Sequence, residues 1–444
     1  MIMNLAEISS LLNIPCHYDI HLSGIGIDSR TVEPGHLFVA VRGERFDGHD
    51  FIREAVLQGA AAVLCTNASS MVDVPQLTVA DTIQSLATIA AYYRQQFSCG
   101  VVALTGSNGK TTVKEMIAAI LPKPSHATPG NLNNHIGVPL SVLKLRNEHH
   151  YAVFELGANH PGEIAKTVVI VQPHVTLINN IAPAHIQGFG SIEGVAKAKG
   201  EIHQGLNDQG VAVINDDDSF AHYWDALLVN KRVLRFSMDK PAAAIHARQI
   251  DYDEMECARF ILVVPDGEVE IQLKVPGAHN VKNALAAAAC TYALGIGLSD
   301  IASGLCQFSG VSGRMTYRSG KNNSVIVDDT YNANLRSVIA ALEVLAKYRG
   351  RRILILGDMG ELGESTKSHH EEIGRVARRL GIDAIMTYGH HSQYTSQIFG
   401  SQGRHYDSQE TLVDELLNQL NSNTMVLVKG SRAAAMEKVV HQLL

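Results

Sequence analysis

Short apolar runs alternate with segments of helical spacing along most of this chain. Residues 61–65, 151–156, 175–179 and 211–215 are aliphatic and β-branched runs closed by polar turns, and each predicts a buried strand. Residues 50–58, 162–171 and 194–206 carry apolar positions three and four apart and predict helices. Residues 81–97 form a helical connector with Ile83, Leu86, Ile89 and Tyr93 roughly on one face. A β-rich stretch, 233–275, precedes an alanine-rich helix at 280–294. The pattern then starts again, with short strands at 325–327, 353–356, 384–387 and 425–428 and helices between them.

Strands alternating with helices imply mostly parallel sheets covered on both faces. The expected fold class is therefore α/β in three domains. Residues 1–98 form a smaller α/β N-terminal domain, 99–312 a central parallel-sheet domain, and 313–444 a second, Rossmann-like open sheet. Gly310-Val-Ser-Gly-Arg314 is the hinge candidate between the last two.

Residues 101–115 carry the strongest chemical signal. An apolar run meets Gly106-Ser107-Asn108-Gly109-Lys110-Thr111-Thr112, and helical spacing follows. The two glycines let the backbone curl so that several N–H groups point inward, and the helix start adds partial positive charge. Lys110 can reach β- and γ-phosphates, and Thr111 or Thr112 can hold Mg²⁺. The common form of this loop has an earlier glycine, where Leu104 or Thr105 stands here, so this is the shorter version. The chain is expected to handle a nucleoside triphosphate.

Composition narrows the setting. Hydrophobic residues make up 46 %, enough for large cores, and the formal charge of −7 argues against broad nucleic-acid binding. The six cysteines show no C-x-x-C spacing and read as buried hydrophobes in a reducing compartment. No signal peptide and no apolar run of membrane-spanning length is visible, so a cytoplasmic protein without membrane insertion is expected. A monomer is expected, though nothing in these patterns specifies the oligomeric state.

Other candidate positions sit after strands, where open α/β sheets bind ligands. Glu155 closes an apolar strand and reads either as a Mg²⁺ ligand or as a solvated turn residue. His185 follows another strand and is a metal ligand or a hydrogen-bonded loop residue. Lys199, by spacing alone, lies on a charged helix face. Asn283 offers a donor and an acceptor suited to adenine. Asp328 and Asp329 could hold a ribose or a metal, and Asn334 suits a helix N-cap. Lys429-Gly-Ser-Arg432 resembles an anion cradle.

Taken together, these segments resemble the Mur ligase family across essentially the whole chain. The resemblance is carried by Asp28-Ser29-Arg30, residues 43–49, 105–112 and 128–134, Glu155, residues 182–185, 199–202, 279–283, 328–334 and 357–363. It implies ATP-dependent amide formation through an acyl phosphate, with D-alanyl-D-alanine added to UDP-N-acetylmuramoyl-tripeptide. It further implies that Thr111, Glu155 and His185 hold magnesium. Lys199 would do so as a CO₂-derived carbamate, with two Mg²⁺ ions in all. Asn283 and Asp329 would contact adenosine, and Arg314 the ATP phosphates. Ser29 and Arg30 would face the uridine end, with Asn133, Asn134 and Asn332 near substrate and Lys429 and Arg432 near the incoming dipeptide. Lys110, Lys199, His185 and Arg314 would carry the catalysis. One departure is Leu335, where the family usually has proline after Asn-Ala-Asn. The diaminopimelate- or lysine-adding ligases and folylpolyglutamate synthase share the loop. A nucleotide-switch GTPase would want an Asn-Lys-x-Asp segment, which this chain lacks.

Overall fold

The computed structural model describes residues 3–15, 18–43, 46–183, 186–360 and 362–444, without the side chains of Ile186 and Glu364. His185, Cys16, Glu44, Arg45 and Glu361 therefore lie outside the described residues.

The N-terminal part holds a two-stranded antiparallel sheet, Met3–Asn4 with His21–Leu22, and a four-stranded parallel sheet. The latter runs Gly24–Gly26, His36–Val39, Ala62–Cys65 and Gln76–Thr78 in sequence order. The connector helix Thr82–Arg94 starts at Asp81, whose carboxylate accepts from the amides of Ile83 and Gln84. Its buried face carries Leu86, Ile89 and Tyr93, as the spacing predicts, while Ile83 is half-buried. Its end is bolted to the central domain: Tyr93 donates to Leu145 O at 2.8 Å, and buried Arg94 donates to Val171 O at 2.8 Å. One apolar cluster runs from Leu37 and Leu64 through Leu86 to Val101 and Phe154, so the first two parts share a core.

The central sheet has nine strands. From one edge they run Gly267–Pro276, Cys257–Val264, Ile245–Tyr252, Arg232–Ser237, Val211–Asn215, Val175–Ile178, Gly100–Thr105, Tyr151–Glu155 and Ser125–Ala127. The first three pair antiparallel and the others parallel. The β-rich stretch thus extends the same sheet. Strand Gly100–Thr105 lies between 175–178 and 151–155, so its carboxyl end opens where the strand order reverses.

The C-terminal sheet runs Thr316–Ser319, Val325–Asp329, Thr424–Lys429, Arg351–Gly357, Ala384–Tyr388 and Gly403–Tyr406, parallel except for the first pair. Two apolar clusters cover its faces. The two edge strands escape sequence reading because their half-exposed residues, Thr-Tyr-Arg-Ser and Gly-Arg-His-Tyr, form no apolar run. Among the described residues no helix is long and apolar enough to cross a membrane.

Candidate active site

The helix Lys110–Ile120 begins directly after the turn 106–109. Gly109 sits at φ +78°, and a Cβ there would lie 2.6 Å from Asn283 Oδ1 and 2.7 Å from Asn179 Nδ2. Only glycine fits such a left-handed, crowded position. As helix N-cap it brings no side-chain acceptor, so the first-turn amides have no side-chain cap, the arrangement an anion site uses. The turn is also held from beneath. Ser107 N donates to Asn180 O and Asn108 N to Asn180 Oδ1, both at 2.9 Å. The side-chain amides of Asn179 and Asn180 each donate to Asn108 O at 3.0 Å. The amides of Ser107 and Asn108 are thus spent on Asn180, which leaves a narrower set of anion-facing donors than the glycine spacing suggests.

Thr111 Oγ1 donates to Glu155 Oε2 at 2.8 Å, and Asn133 Nδ2 donates to Glu155 Oε1 at 2.8 Å. Glu155 is buried, which removes the solvated-turn reading. Lys110 Nζ donates to Gly106 O at 2.9 Å. Burial pushes the Lys110 ammonium below its ordinary pKa; Glu155 opposes this fall and Arg314 adds to it. Arg314 reaches in from the hinge, stacks 4.1 Å above the Tyr331 ring centre, and donates from Nη2 to Thr111 Oγ1 at 3.0 Å. Its Nε is buried with no partner among the described residues, a donor left over for a ligand.

A cleft of about 620 Å³ joins these groups between the central and C-terminal domains. Ser107, Asn108, Lys110, Thr112, Asn133, Asn134 and Asn283 line it from one side, and Arg314, Asp329, Asn332 and Lys429 from the other. Several expected ligand contacts are already engaged internally. Asn283 accepts from Asn179 and donates to Asn280, both at 3.0 Å. Asn134 Oδ1 accepts from Gly137 N at 2.8 Å. Lys429 is buried and paired with Asp329 at 2.5 Å, and also donates to Asn332 O at 2.8 Å. Burial raises the Asp329 pKa, against the pull of Lys429.

Other expected residues lie elsewhere. Ser29 and Arg30 are in the N-terminal part and do not line the cleft; Arg30 is exposed and forks onto Asp28 at 2.9 and 2.6 Å. Arg432 borders a separate cavity of about 300 Å³ and pairs with Glu437 at 3.0 Å. Lys199 is only 2 % exposed, so the charged-face reading fails for it. Burial, then the charge of Lys110, drives its pKa well below the ordinary lysine value.

The donor set can be tested against magnesium. A hydroxyl and a buried carboxylate, already in contact, are hard oxygen donors of the kind Mg²⁺ takes alongside phosphate and water. Thr111 and Glu155 fit the ion.

Family models match this chain in three consecutive pieces. They are the Mur ligase family catalytic domain at 21–94, the Mur ligase middle domain at 104–291, and the Mur ligase glutamate ligase domain at 313–432. The UDP-N-acetylmuramoyl-tripeptide–D-alanyl-D-alanine ligase of Escherichia coli K12 is 43 % identical, over 99 % of this chain and 98 % of its own length. The chain belongs to the Mur ligase family. The like-named ligase of Bacillus subtilis 168 is 32 % identical over the whole chain. A crystal structure of MurF from Acinetobacter baumannii superposes with a TM-score of 0.91 at 36 % identity, covering 100 % of this chain and 99 % of that one. A Thermotoga maritima MurF ligase in complex with ADP gives 0.80 at 30 % identity, covering 94 % and 96 %.

Against the family pattern, Leu335 takes the first position of helix Leu335–Ala346, where proline would fit well. Asn334 supplies a complete capping box with Ser337, so the helix start is secured without proline. The floor of the site, Asn179 and Asn180, and Arg336 were not among the expected residues; Asn334 is the N-cap its sequence suggested and makes a cross-domain contact besides. Asn334 Nδ2 donates to Asn108 Oδ1 at 2.7 Å, and Arg336 Nη1 to Ile181 O at 3.2 Å. The paired asparagines after strand 175–178 were a visible signal; the cross-domain contacts left none.

Proposed function

We propose that this Mur ligase adds D-alanyl-D-alanine to UDP-N-acetylmuramoyl-tripeptide at the expense of ATP, giving the pentapeptide, ADP and phosphate. The full-length similarity to ligases of that name supports the substrates. The observation that carries the chemistry is the convergence of Lys110, an open helix N-terminus and Arg314 on one cleft.

The tripeptide carboxylate attacks the γ-phosphorus, and the β–γ bridging oxygen leaves with ADP. The acyl phosphate so formed is attacked by the dipeptide amine, and phosphate leaves as the amide forms. Both reactants of the first step are anions, so donors must offset their repulsion. Lys110, the first-turn amides of 110–112 and Arg314 do this from two sides. Thr111 and Glu155, together with His185, would hold magnesium, which would supply further charge neutralisation. Asn133 fixes the Glu155 carboxylate through its 2.8 Å hydrogen bond. Packing of the C-terminal domain over the cleft keeps water from the acyl phosphate.

Lys199 works as a carbamate in this reading. A buried, neutral amine is the form that adds CO₂, releasing a proton, and its low pKa supports that form. An ammonium there would repel a metal; a carbamate becomes an oxygen ligand. Residues 1–98 bind the nucleotide sugar, with Ser29 and Arg30 at the uridine end; 99–312 bind ATP, with Asn283 and Asp329 towards the adenosine. Residues 313–444 bind the dipeptide, with Asn332, Lys429 and Arg432 nearest to it. A cytoplasmic site of action is part of this reading; among the described residues no helix is long and apolar enough to cross a membrane.

The test is product formation. The chain with ATP, Mg²⁺, the tripeptide nucleotide and D-alanyl-D-alanine is expected to yield a species heavier by the dipeptide less one water, read by mass spectrometry. No such species from a chain that binds ADP would overturn the assignment of substrates.

A further inference from the structure

Helix Leu335–Ala346 is gripped by the central domain at both ends. At its start, Asn334 is the N-cap and reaches Asn108 of the phosphate turn at 2.7 Å. Just past its end, Lys347 Nζ lies 2.5 Å from Glu256 Oε2 and 4.9 Å from the centre of the Tyr252 ring. Tyr317, on the edge strand of the same domain, donates to Met255 O at 3.0 Å. Tyr252 ends strand Ile245–Tyr252, and Met255 and Glu256 belong to the tight connection from it to strand Cys257–Val264.

That connection is coupled to the nucleotide side of the cleft. Glu256 holds a left-handed backbone, φ +61°, which a side chain disfavours and which its surroundings must therefore impose. Its carbonyl accepts from Gly277 N at 2.8 Å. Gly277 starts helix Ala278–Ala293, which carries Asn283 against the phosphate turn. A Cβ on Gly277 would come within 3.0 Å of Val344, so the gripped helix packs directly on this junction. The ion pair is sheltered on one side only: the Glu256 side chain is 15 % exposed and that of Lys347 53 %. It sits at the far end of the helix from the phosphate turn, so neither partner reaches the cleft's Lys110 and Thr111.

We propose that Lys347 and Glu256 are positioning residues whose ion pair keeps the C-terminal domain docked, and so keeps the nucleotide cleft assembled. This rests on the reading of the cleft as a nucleotide site. A ligand that needs both walls of a cleft binds with an apparent affinity scaled by the docked fraction, and loss of the latch lowers that fraction. The pair acts on binding and leaves the chemistry of the docked complex alone.

The test uses the full chain, with Mg²⁺ and ADP as the probe in calorimetry and X-ray scattering on the unliganded protein. Lys347→Ala and Glu256→Ala are each expected to weaken ADP binding about twofold to fivefold and to enlarge the radius of gyration. The same variants should raise KM for ATP while kcat stays within about twofold and Tm stays near wild type, a split that a merely structural role would not give. The charge-exchanged double variant, Lys347→Glu with Glu256→Lys, is expected to recover affinity to within about twofold of wild type. Unchanged ADP affinity and unchanged radius in both alanine variants would overturn the proposal, as would a double variant no better than Lys347→Glu alone. A wild-type chain that binds no ADP would overturn the cleft reading itself, and the latch with it.

Discussion

Arg314 donates from Nη2 to Thr111 Oγ1 at 3.0 Å, joining the hinge to the first turn of the phosphate-loop helix. The contact spans 203 positions of chain and crosses from the C-terminal to the central domain. It places a cation beside the hydroxyl–carboxylate pair Thr111–Glu155, and the Tyr331 ring holds the guanidinium plane from the other side. Because the contact is made across the two domains, assembly of the site is tied to their docking.

Arg314→Lys keeps the charge but loses the planar fork and the ring stack. Turnover is expected to fall about a hundredfold, with Tm near wild type, because one preorganised donor to the developing charge is lost. Steady-state kinetics beside a thermal melt checks this; turnover within threefold of wild type would contradict it.

Asn334 has two separable jobs. Its Oδ1 caps helix Leu335–Ala346 by accepting from Ser337 N at 3.0 Å, and its Nδ2 donates to Asn108. Asn334→Asp keeps the acceptor, removes the donor and adds negative charge beside the phosphate turn. Tm should hold, while ATP affinity drops about tenfold. Asn334→Ala loses both functions and should cost about 1 kcal/mol of stability as well. Calorimetry and thermal melts on the two variants separate the roles.

Lys199→Ala should be nearly inactive, and short carboxylic acids should restore part of the rate by standing in for the carbamate. Full activity of the alanine variant with no added acid would end the carbamate reading.

His203 sets an acid limit on stability. It is buried, with Nδ1 at 2.9 Å from Thr176 Oγ1 and Nε2 unpartnered among the described residues, and burial pushes its pKa down to about 4. Between that value and the ordinary 6.5 the unfolded chain holds the proton and the native one does not. Stability therefore falls as pH drops through this window and levels below it, by up to about 3 kcal/mol from this residue. His203→Leu should flatten that slope in urea unfolding at pH 7 and pH 4.5. An unchanged slope would show that the imidazole takes up its proton in the folded state.

Much of this architecture was legible because buried parallel strands are continuous apolar runs. Strand Val211–Asn215 falls where the pattern places it, and Asp81 marks its helix start. The polar edge strands did not show. At the site, the glycine–lysine turn announced itself, since few backbones need glycine just there. Glu155 and Lys199 were ambiguous because spacing cannot tell a solvated face from a buried one; both prove buried. Asn334 contacts a residue 226 positions away, and no local pattern reports such a pairing.

The central claim is that the γ-phosphate of ATP passes to the peptide carboxylate before the amide forms. Labelling the terminal carboxylate of the tripeptide nucleotide with ¹⁸O and analysing the phosphate released during turnover tests it most directly. The account predicts one labelled oxygen in each phosphate, carried over through the acyl phosphate. Unlabelled phosphate, released while pentapeptide is made, would contradict it.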